Sequence, residues 1–261
     1  MNIDIRHIHK SFVSRNDSIE ALKDLTFQVG SGEFVCLLGP SGCGKSTLLN
    51  IIAGLEHADS GDVQCNGNLA SVPSTDRIVI FQEPALFPWL NVIENVEFGL
   101  MVAGVPAKER REKAQRYLAM VHLSRFQKAA IHGLSGGMKQ RVALARALVL
   151  DPAVLLMDEP FGALDAQTRD LLHIELQEIW ATTKKTIIFV THNVREAVRL
   201  GDRVLVMSAR PGSIKREFLV TLPRPRHMED HGLVDMARSI LAELRDEVNR
   251  AVAEEANHEE S

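Results

Sequence analysis

The residues that most clearly predict chemistry form a glycine-rich loop between two apolar segments. The pattern Gly39-x-x-x-x-Gly44-Lys45-Ser46 follows the apolar run 34–38 and precedes the apolar positions of 48–55. Glycines let successive backbone N–H groups turn toward one anion at the positive end of a helix. The lysine adds a charge for phosphate oxygens, and the serine hydroxyl can ligate Mg²⁺. The spacing predicts a phosphate-binding loop, and the alternative is a glycine turn without a ligand.

A pair of carboxylates follows a second apolar run. Asp158 and Glu159 come directly after Val154–Met157. One carboxylate can hold Mg²⁺ through water, and the next can orient and deprotonate an attacking water, a role worth about 10²–10⁴ in rate. Taken alone, an acidic pair in this position is more often a helix cap. The phosphate loop in the same chain favours the catalytic interpretation.

A second group of small polar residues precedes another helical pattern. Ser135, Gly136 and Gly137 stand before a helix that we predict at Val142–Val149. A helix N-terminus preceded by serine and glycine is a second potential anion site. The chain therefore carries two predicted phosphate-binding segments.

Among the histidines and cysteines, one histidine is a candidate site residue, and the others do not indicate a metal site. His192 follows the apolar run Thr186–Val190, whereas His7 and His9 share one strand face without partners at metal-ligand spacing. Cys43 lies inside the phosphate loop near a helix N-terminus, where we expect the pKa of its thiol to fall. The chain has three cysteines without CxxC spacing, so we expect reduced thiols and no thiolate metal site.

These residues need a scaffold of strands that end at a common edge. Residues 1–38 alternate apolar and polar positions, as strands do, and further strands are predicted at 78–81, 154–157 and 186–190. A mainly helical stretch, 83–150, interrupts this series. Polar clusters directly after buried strands are typical of the carboxyl edge of a mostly parallel sheet. The predicted fold class is α/β.

The C-terminal part of the chain has a different pattern. After the segment 223–226, apolar residues recur at three- and four-residue spacing through 233–248. This spacing predicts an amphipathic helix, and an acidic tail follows at 254–261. We therefore expect residues 223–261 to form a terminal helix and tail.

Composition excludes several classes of protein. The 261 residues carry 30 Lys+Arg against 34 Asp+Glu, a net charge of −4, which argues against a protein that coats nucleic acid. Apolar runs of about five residues are too short for a membrane-spanning helix, which needs about 20. The N-terminal residues lack the pattern of a signal peptide. We therefore expect a protein that stays in the cytoplasm.

The motifs together resemble an ATP-binding cassette (ABC) ATPase. Gly39–Ser46, Gln82, Leu134–Gln140, Asp158-Glu159, Ala163–Asp165 and His192 match that family in order and spacing across residues 1–222. The resemblance implies a P-loop NTPase cassette with three parts: a RecA-like mixed sheet core, an N-terminal antiparallel β subdomain and an inserted helical signature subdomain at 83–150. It also implies ATP hydrolysis with Mg²⁺.

The resemblance assigns roles by position. Glu159, His192 and Lys45 would be catalytic; Ser46, Gln82 and Asp158 would hold Mg²⁺; and Ser135, Gly136, Gly137 and Asp165 would act across a dimer on the ATP of the opposite subunit. ATP itself would be bound by Phe12, Gly39, Pro40, Ser41, Gly42, Cys43, Gly44, Lys45, Ser46 and Thr47. Phe12 replaces the more usual tyrosine that stacks on adenine, and it could instead be a core residue. Met138 replaces the more common glutamine of the signature.

The segments 82–89, 134–141, 207–214 and 222–226 look like the importer ATPases for nitrate, aliphatic sulfonates, taurine and bicarbonate. This branch implies a homodimer on the cytoplasmic face of the inner membrane, under two permease subunits and served by an external solute-binding protein. Phe87, Trp89 and Leu90 are candidates for the permease contact, and internal packing is the alternative. These segments do not identify the solute.

Other classes remain open. An exporter or lipid-trafficking ATPase would use the same cassette, and a non-hydrolysing regulatory module would lack Glu159 and His192. An ABC ATPase acting on DNA or ribosomes would add a coiled coil or a second cassette. A P-loop kinase or GTPase would lack the signature loop, and no Asn-Lys-x-Asp motif is present.

Overall fold

A computed structural model describes residues 1–13 and 18–259. The chain divides into two compact units, the first formed by 1–74 together with 184–261 and the second by 75–183. The subdivisions at 83–150 and at 223–261 stay predictions. Of the predicted acidic tail, residues 260 and 261 lie outside the described residues.

Strands and helices alternate along the chain. In chain order they are β1 Ile3–Val13, β2 Ser18–Val29, β3 Phe34–Leu38, α1 Lys45–Ala53, β4 Ser60–Cys65, β5 Asn68–Leu69, β6 Arg77–Ile80, α2 Val92–Val102, α3 Ala107–Met120, α4 Gly136–Leu148, β7 Val154–Asp158, α5 Ala166–Thr183, β8 Thr186–Thr191, α6 Val194–Leu200, β9 Arg203–Met207, β10 Ile214–Leu219 and α7 His231–Glu259, with short 3-10 turns at Ser124–Phe126 and Ile131–Gly133.

The first unit contains an antiparallel sheet in the order β2-β1-β4-β5. Its buried face follows the alternation seen in the sequence, because Ile3, Ile5 and Leu25 are all fully buried. The register pairs Ile5 with Phe27 on one side and with Val63 on the other. The structure thus confirms the predicted N-terminal antiparallel strands.

The first unit also contains four strands in the order β10-β9-β3-β8, in which β3 runs parallel to both β9 and β8. Every residue of β3 and β8 is buried, as expected for parallel strands covered on both faces. Leu38, the last residue of β3, pairs with Thr191 and with Val206. The residues that follow β3, β8 and β9 therefore emerge at one edge, and the predicted α/β class is confirmed.

The second unit combines a parallel strand pair with helices. The two strands β6 and β7 pair in the register Ile80 to Met157. Helices α2, α3 and α4 pack on one another. A buried Glu97 on α2 pairs with Arg111 of α3 at 2.9 Å. This ion pair joins the two helices beside their apolar contacts.

Two helices differ from the sequence expectation. The helix expected at Val142–Val149 is α4, which begins six residues earlier, at Gly136, because the Ser135 side chain caps it by accepting the N–H of Met138. The terminal helix expected over 233–248 is α7, and it continues to Glu259. Within the described part of the chain, no helix combines the length and the apolar character needed to cross a membrane.

Candidate functional site

The loop between β3 and α1 is wrapped around the ammonium group of Lys45. This side chain is buried, and its Nζ donates to the carbonyl oxygens of Gly39 at 3.0 Å and Pro40 at 2.8 Å. The loop therefore encloses a fixed positive charge, and backbone carbonyls satisfy it in place of solvent. A phosphate that approaches the loop meets this charge directly.

The start of α1 leaves amide groups available to an anion. The first helical hydrogen bond runs from the Leu48 N–H to the Gly44 carbonyl, so the N–H groups of residues 45–47 have no acceptor within the helix. Gly44 has φ +96°, and a Cβ there would lie 2.6 Å from Leu22 Cδ2. Only glycine fits this conformation and this close approach. The loop therefore has the amides, the charge and the shape that phosphates require.

Cys43 corrects one expectation. Its side chain is 1% exposed, and burial raises the pKa of the thiol despite the nearby Lys45 ammonium. Desolvation disfavours the thiolate more than the lysine and the helix N-terminus favour it. The expected fall in the pKa of this thiol was wrong, because the sequence does not show that the side chain points away from solvent.

Phe12 lies on β1, where it pairs with Ile19 of β2. Its ring is 43% exposed, and the Lys10 ammonium lies 5.2 Å from the ring centroid. A half-exposed aromatic face beside a cation can stack on a planar base. This exposure favours stacking over the alternative that Phe12 is a core residue.

His192 emerges at the same edge as the phosphate loop. It is the first residue after β8, as Gly39 is the first after β3, and the strand ends are in register. Its neighbours fix the turn: the Asn193 N–H donates to Thr191 Oγ1 at 3.0 Å, and the Asn193 side chain caps α6. His192 itself is exposed. The first unit thus places an imidazole and the phosphate loop on one edge.

In the second unit, Glu159 and Gln82 converge near Gly162. A Cβ built on Gly162 would lie 3.4 Å from Gln82 Nε2 and 3.8 Å from Glu159 Oε2. Glu159 has φ +44°, a left-handed conformation that is uncommon and costs about 1 kcal/mol or more for a residue with a side chain. Asp158 ends β7 directly before it. Strain of this kind is frequent at functional sites.

The segment after Glu159 is held by a residue that the sequence did not reveal. Arg169 on α5 donates to the carbonyl oxygens of Phe161 at 3.2 Å and Leu164 at 2.6 Å. Asp165 accepts the N–H of Thr168 at 3.0 Å, and this hydrogen bond lowers the pKa of its carboxyl. An arginine in the first turn of a helix is common, so the sequence contains no pattern that distinguishes Arg169.

The signature segment packs on the same region of the second unit. A Cβ on Gly137 would lie 2.4 Å from Thr168 Cγ2, and one on Gly136 would lie 3.2 Å from Leu164 Cδ2. Ser135 and Gly136 are exposed, whereas Gly137 is buried. The N-terminus of α4 is therefore open to an anion and lies beside the Asp165 segment.

An apolar groove of about 350 Å³ lies between β6, α2 and α4. Phe87 lines it, 4.5 Å from Phe98 and 5.5 Å from Trp89 between ring centroids, and Trp89 is 75% exposed. The fully buried Asn95 shapes the segment by accepting the Phe87 N–H at 2.8 Å and donating to the Phe87 and Leu90 carbonyls. The sequence predicted the aromatics but not Asn95.

The three predicted Mg²⁺ ligands would each supply one oxygen-bearing side chain. The described residues contain no cluster of three or more His, Cys, Asp and Glu that could hold a metal. Mg²⁺ is usually held by one or two protein oxygens together with substrate phosphates and water. The hydroxyl of Ser46, the carboxylate of Asp158 and the amide oxygen of Gln82 are each oxygen ligands of the kind that Mg²⁺ prefers.

The chain is similar to ABC transporter proteins over most of its length. The family described as ABC transporter matches residues 22–162. The nitrate import ATP-binding protein NrtD of Synechocystis is 48% identical over 85% of this chain and 84% of that protein. The aliphatic sulfonates import ATP-binding protein SsuB of Bacillus cereus is 42% identical over 94% and 96%.

The fold has a close match among solved structures. A dimeric post-hydrolysis structure of the ATP-binding cassette MJ0796, bound to ADP and Pi, is 33% identical and gives a TM-score of 0.75 over 85% of this chain and all of that one. The similarity in fold, the phosphate loop and the family match all indicate the same class of protein. The chain belongs to the ABC transporter family, and it is an ATP-binding cassette ATPase.

Proposed function

We propose that this chain is the ATP-hydrolysing subunit of an importer for a small anionic or sulfonate-type solute. The observation that carries the proposal is the loop that encloses Lys45, with glycine and amide geometry suited to phosphates. The relatives named for nitrate and aliphatic sulfonate import support the importer branch. Taurine and bicarbonate belong to the same group of candidate solutes.

Residues of the first unit bind ATP in this proposal. Lys45 and the amides of 45–47 hold the phosphates, Phe12 stacks on adenine, and His192 donates a hydrogen bond to the γ phosphate. Mg²⁺, held by Ser46, Gln82 and Asp158 when bound, would neutralise phosphate charge. These groups stabilise the charge that develops on the phosphoryl group as its bond breaks.

Glu159 acts as the general base. Its carboxylate orients a water molecule and accepts a proton from it as the water attacks the γ phosphorus. The left-handed backbone conformation of Glu159 supports this role, because strained conformations of this kind persist mainly where the direction of a side chain matters for function. Gln82, whose amide shares the Gly162 neighbourhood, would help to place the same water.

The signature segment completes the site of a second copy. Ser135 and Gly136 are exposed at the N-terminus of α4, where they can approach the γ phosphate bound by a partner subunit. Asp165 and its neighbours would lie at that dimer contact. The dimeric MJ0796 structure supports a homodimer of this chain.

The groove beside Phe87 is the proposed contact with the permease. It is apolar, and the exposed Trp89 packs on Phe87, which lines it; these are features of a site for a short helix. The subunit would then sit peripherally on the cytoplasmic face of the membrane, and an external solute-binding protein would deliver the solute to the permease.

Reconstitution tests the importer proposal. We expect ATP hydrolysis by this chain, together with its co-purified permease and solute-binding protein, to rise with one solute among sulfonates, taurine, nitrate and bicarbonate. A flat response with active basal hydrolysis would contradict the importer branch and favour export or lipid transport. In the same preparation, Trp89→Ala should reduce retention of the permease, whereas Phe126→Ala, an exposed aromatic outside the groove, serves as the matched control.

A further inference from the structure

The turn between β9 and β10 makes contacts that the nucleotide chemistry above does not use. We call residues 208–213 the support loop. On one side it meets the phosphate loop, where Arg210 donates from Nε and Nη2 to the Gly42 carbonyl at 3.2 and 3.1 Å. On the other side it meets α7, where the Ala209 N–H donates to Glu247 Oε2 at 2.8 Å.

The Arg210 contact fixes the direction of an amide inside the phosphate loop. In a trans peptide the carbonyl and the following N–H point in opposite directions, so holding the Gly42 oxygen also holds the Cys43 N–H. That N–H donates to the Pro40 carbonyl oxygen inside the loop, with an N to O distance of 3.4 Å. Gly42 has φ +73° and lacks a side chain that could restrict this peptide by itself. Arg210 therefore restricts the Gly42–Cys43 peptide from its carbonyl side, and the long hydrogen bond to Pro40 restricts it from its N–H side.

The next peptide group is held by close packing. A Cβ on Gly212 would lie 2.0 Å from the Cys43 carbonyl oxygen, so only glycine permits the observed approach. Gly212 is itself fixed, because its N–H donates to the Ala21 oxygen at 2.9 Å and its carbonyl accepts the Lys23 N–H at 3.0 Å. The support loop thus holds two successive peptide groups of the phosphate loop.

The support loop is held in turn by α7. Glu247 is 1% exposed and accepts both the Ala209 N–H and the Lys215 ammonium, the latter at 3.0 Å. Ala209 is also buried, so its N–H needs this acceptor. The chain of contacts runs from the terminal helix through the support loop to the phosphate loop.

We propose that Arg210 is a positioning residue for the phosphates of bound ATP, and that Glu247 of α7 acts on nucleotide affinity through it. The inference rests on the proposed role of the Lys45 loop as the ATP site. Arg210 contributes by orienting amides before ATP arrives, which reduces the ordering that binding requires. The terminal helix thereby contributes to nucleotide affinity without contact with the nucleotide.

Calorimetric titration of the purified full chain with MgATP, together with steady-state kinetics, tests the role of Arg210. Arg210→Ala should weaken ATP binding about three- to tenfold, the size of a typical net hydrogen-bond contribution, and should raise KM while kcat changes less than about twofold. Arg210→Lys keeps a charged donor and should recover part of the affinity. Because Arg210 is exposed, the melting temperature without nucleotide should stay close to that of wild type. Unchanged affinity in Arg210→Ala would overturn the proposal.

Glu247→Ala tests the role of α7. It should weaken ATP binding in the same direction. Glu243→Ala, on the same helix, should not, because Glu243 pairs with Arg216 of β10 and not with the support loop. The double variant Arg210→Ala/Glu247→Ala should bind no more weakly than Arg210→Ala alone. Additive losses would overturn the claim that Glu247 acts through Arg210.

Lys45→Ala separates this inference from the function on which it rests. Loss of ATP binding in Lys45→Ala with wild-type affinity in Arg210→Ala would leave the nucleotide site standing and overturn only the support-loop inference. Wild-type affinity in Lys45→Ala would overturn the proposed nucleotide site itself.

Discussion

At the residue scale, burial decides the chemistry of groups that the sequence places beside one another. Lys45 and Cys43 are two positions apart in the phosphate loop, and both are buried. The lysine ammonium is satisfied by two carbonyl oxygens, whereas the cysteine thiol lies where the loss of solvent raises its pKa. Burial therefore leaves the lysine ammonium held by backbone oxygens, whereas it disfavours the thiolate of the cysteine.

Alkylation should reveal the raised pKa of Cys43. Because only the thiolate reacts, and because the folded loop favours the neutral thiol, native Cys43 should react with iodoacetamide at pH 7.5 at least about tenfold more slowly than in urea. Its rate should rise as the pH increases past 9. Peptide mass spectrometry of timed samples measures both rates, and the urea-unfolded chain is the control. Equal rates in native and unfolded protein at pH 7.5 would contradict the assignment.

Residue types and spacing predicted some residues of the candidate site and missed others for a physical reason. Lys45 was predicted because the spacing of the phosphate loop is specific, and Asp158 and Glu159 were predicted because the same chain carries that loop. Arg169 and Arg210 were not predicted, because each acts by donating to backbone carbonyls, of the preceding loop for Arg169 and of a segment distant in sequence for Arg210. Any arginine can do this, so the pattern carries no signal until the fold brings the carbonyl close.

At the element scale, strands were predicted more accurately than helix starts. The run Phe34–Leu38 is continuously apolar and is the strand β3 without change of bounds. The start of α4 was placed too late, because a glycine pair argues against helix by propensity while the Ser135 cap outweighs that cost. Capping is a contact between a side chain and the backbone three residues later, which apolar periodicity does not report.

The segment after β6 depends on one buried amide. Asn95 on α2 is fully buried, and its side chain bonds to the backbone of Phe87, Leu90 and Asn91. Asn95→Ala leaves the Phe87 N–H and the three carbonyls without this partner, and unpaired buried polar groups cost about 1–3 kcal/mol. We expect the free energy of unfolding to fall by about 2–3 kcal/mol.

Urea unfolding followed by circular dichroism measures this loss. Met101→Ala, at an exposed position near the end of the same helix, is the matched control and should change the free energy by less than about 0.5 kcal/mol. An Asn95→Ala variant as stable as this control would show that the amide does not hold the segment.

At the scale of the whole molecule, the sequence predicted the class and the family but not the association of distant segments. The first unit joins residues 1–74 with 184–261, so the two ends of the chain build one body. The contact between these two stretches includes the ion pair of Arg203 with Glu33 at 2.8 Å. Within 184–261, Arg226 is buried and donates to the carbonyl oxygens of Val198 and Gly201, and burial lowers the pKa of this guanidinium to about 10. Periodicity along the chain reports neighbours within an element, not pairs of this separation.

In the proposed mechanism, ATP is hydrolysed in a dimer that holds it between two copies of the chain. Glu159→Gln keeps the size of the side chain and removes the base, so ATP should still bind while the water is not activated. The closed dimer should then accumulate, because hydrolysis is the step that reopens it.

The most direct measurement is therefore ATP turnover by the Glu159→Gln chain, combined with light scattering on a sizing column in the presence and absence of MgATP. We predict that turnover falls by about 10² or more relative to wild type, and that the variant elutes as a dimer only with MgATP. Turnover equal to that of wild type would show that Glu159 is not the base and would contradict the proposed mechanism at its centre.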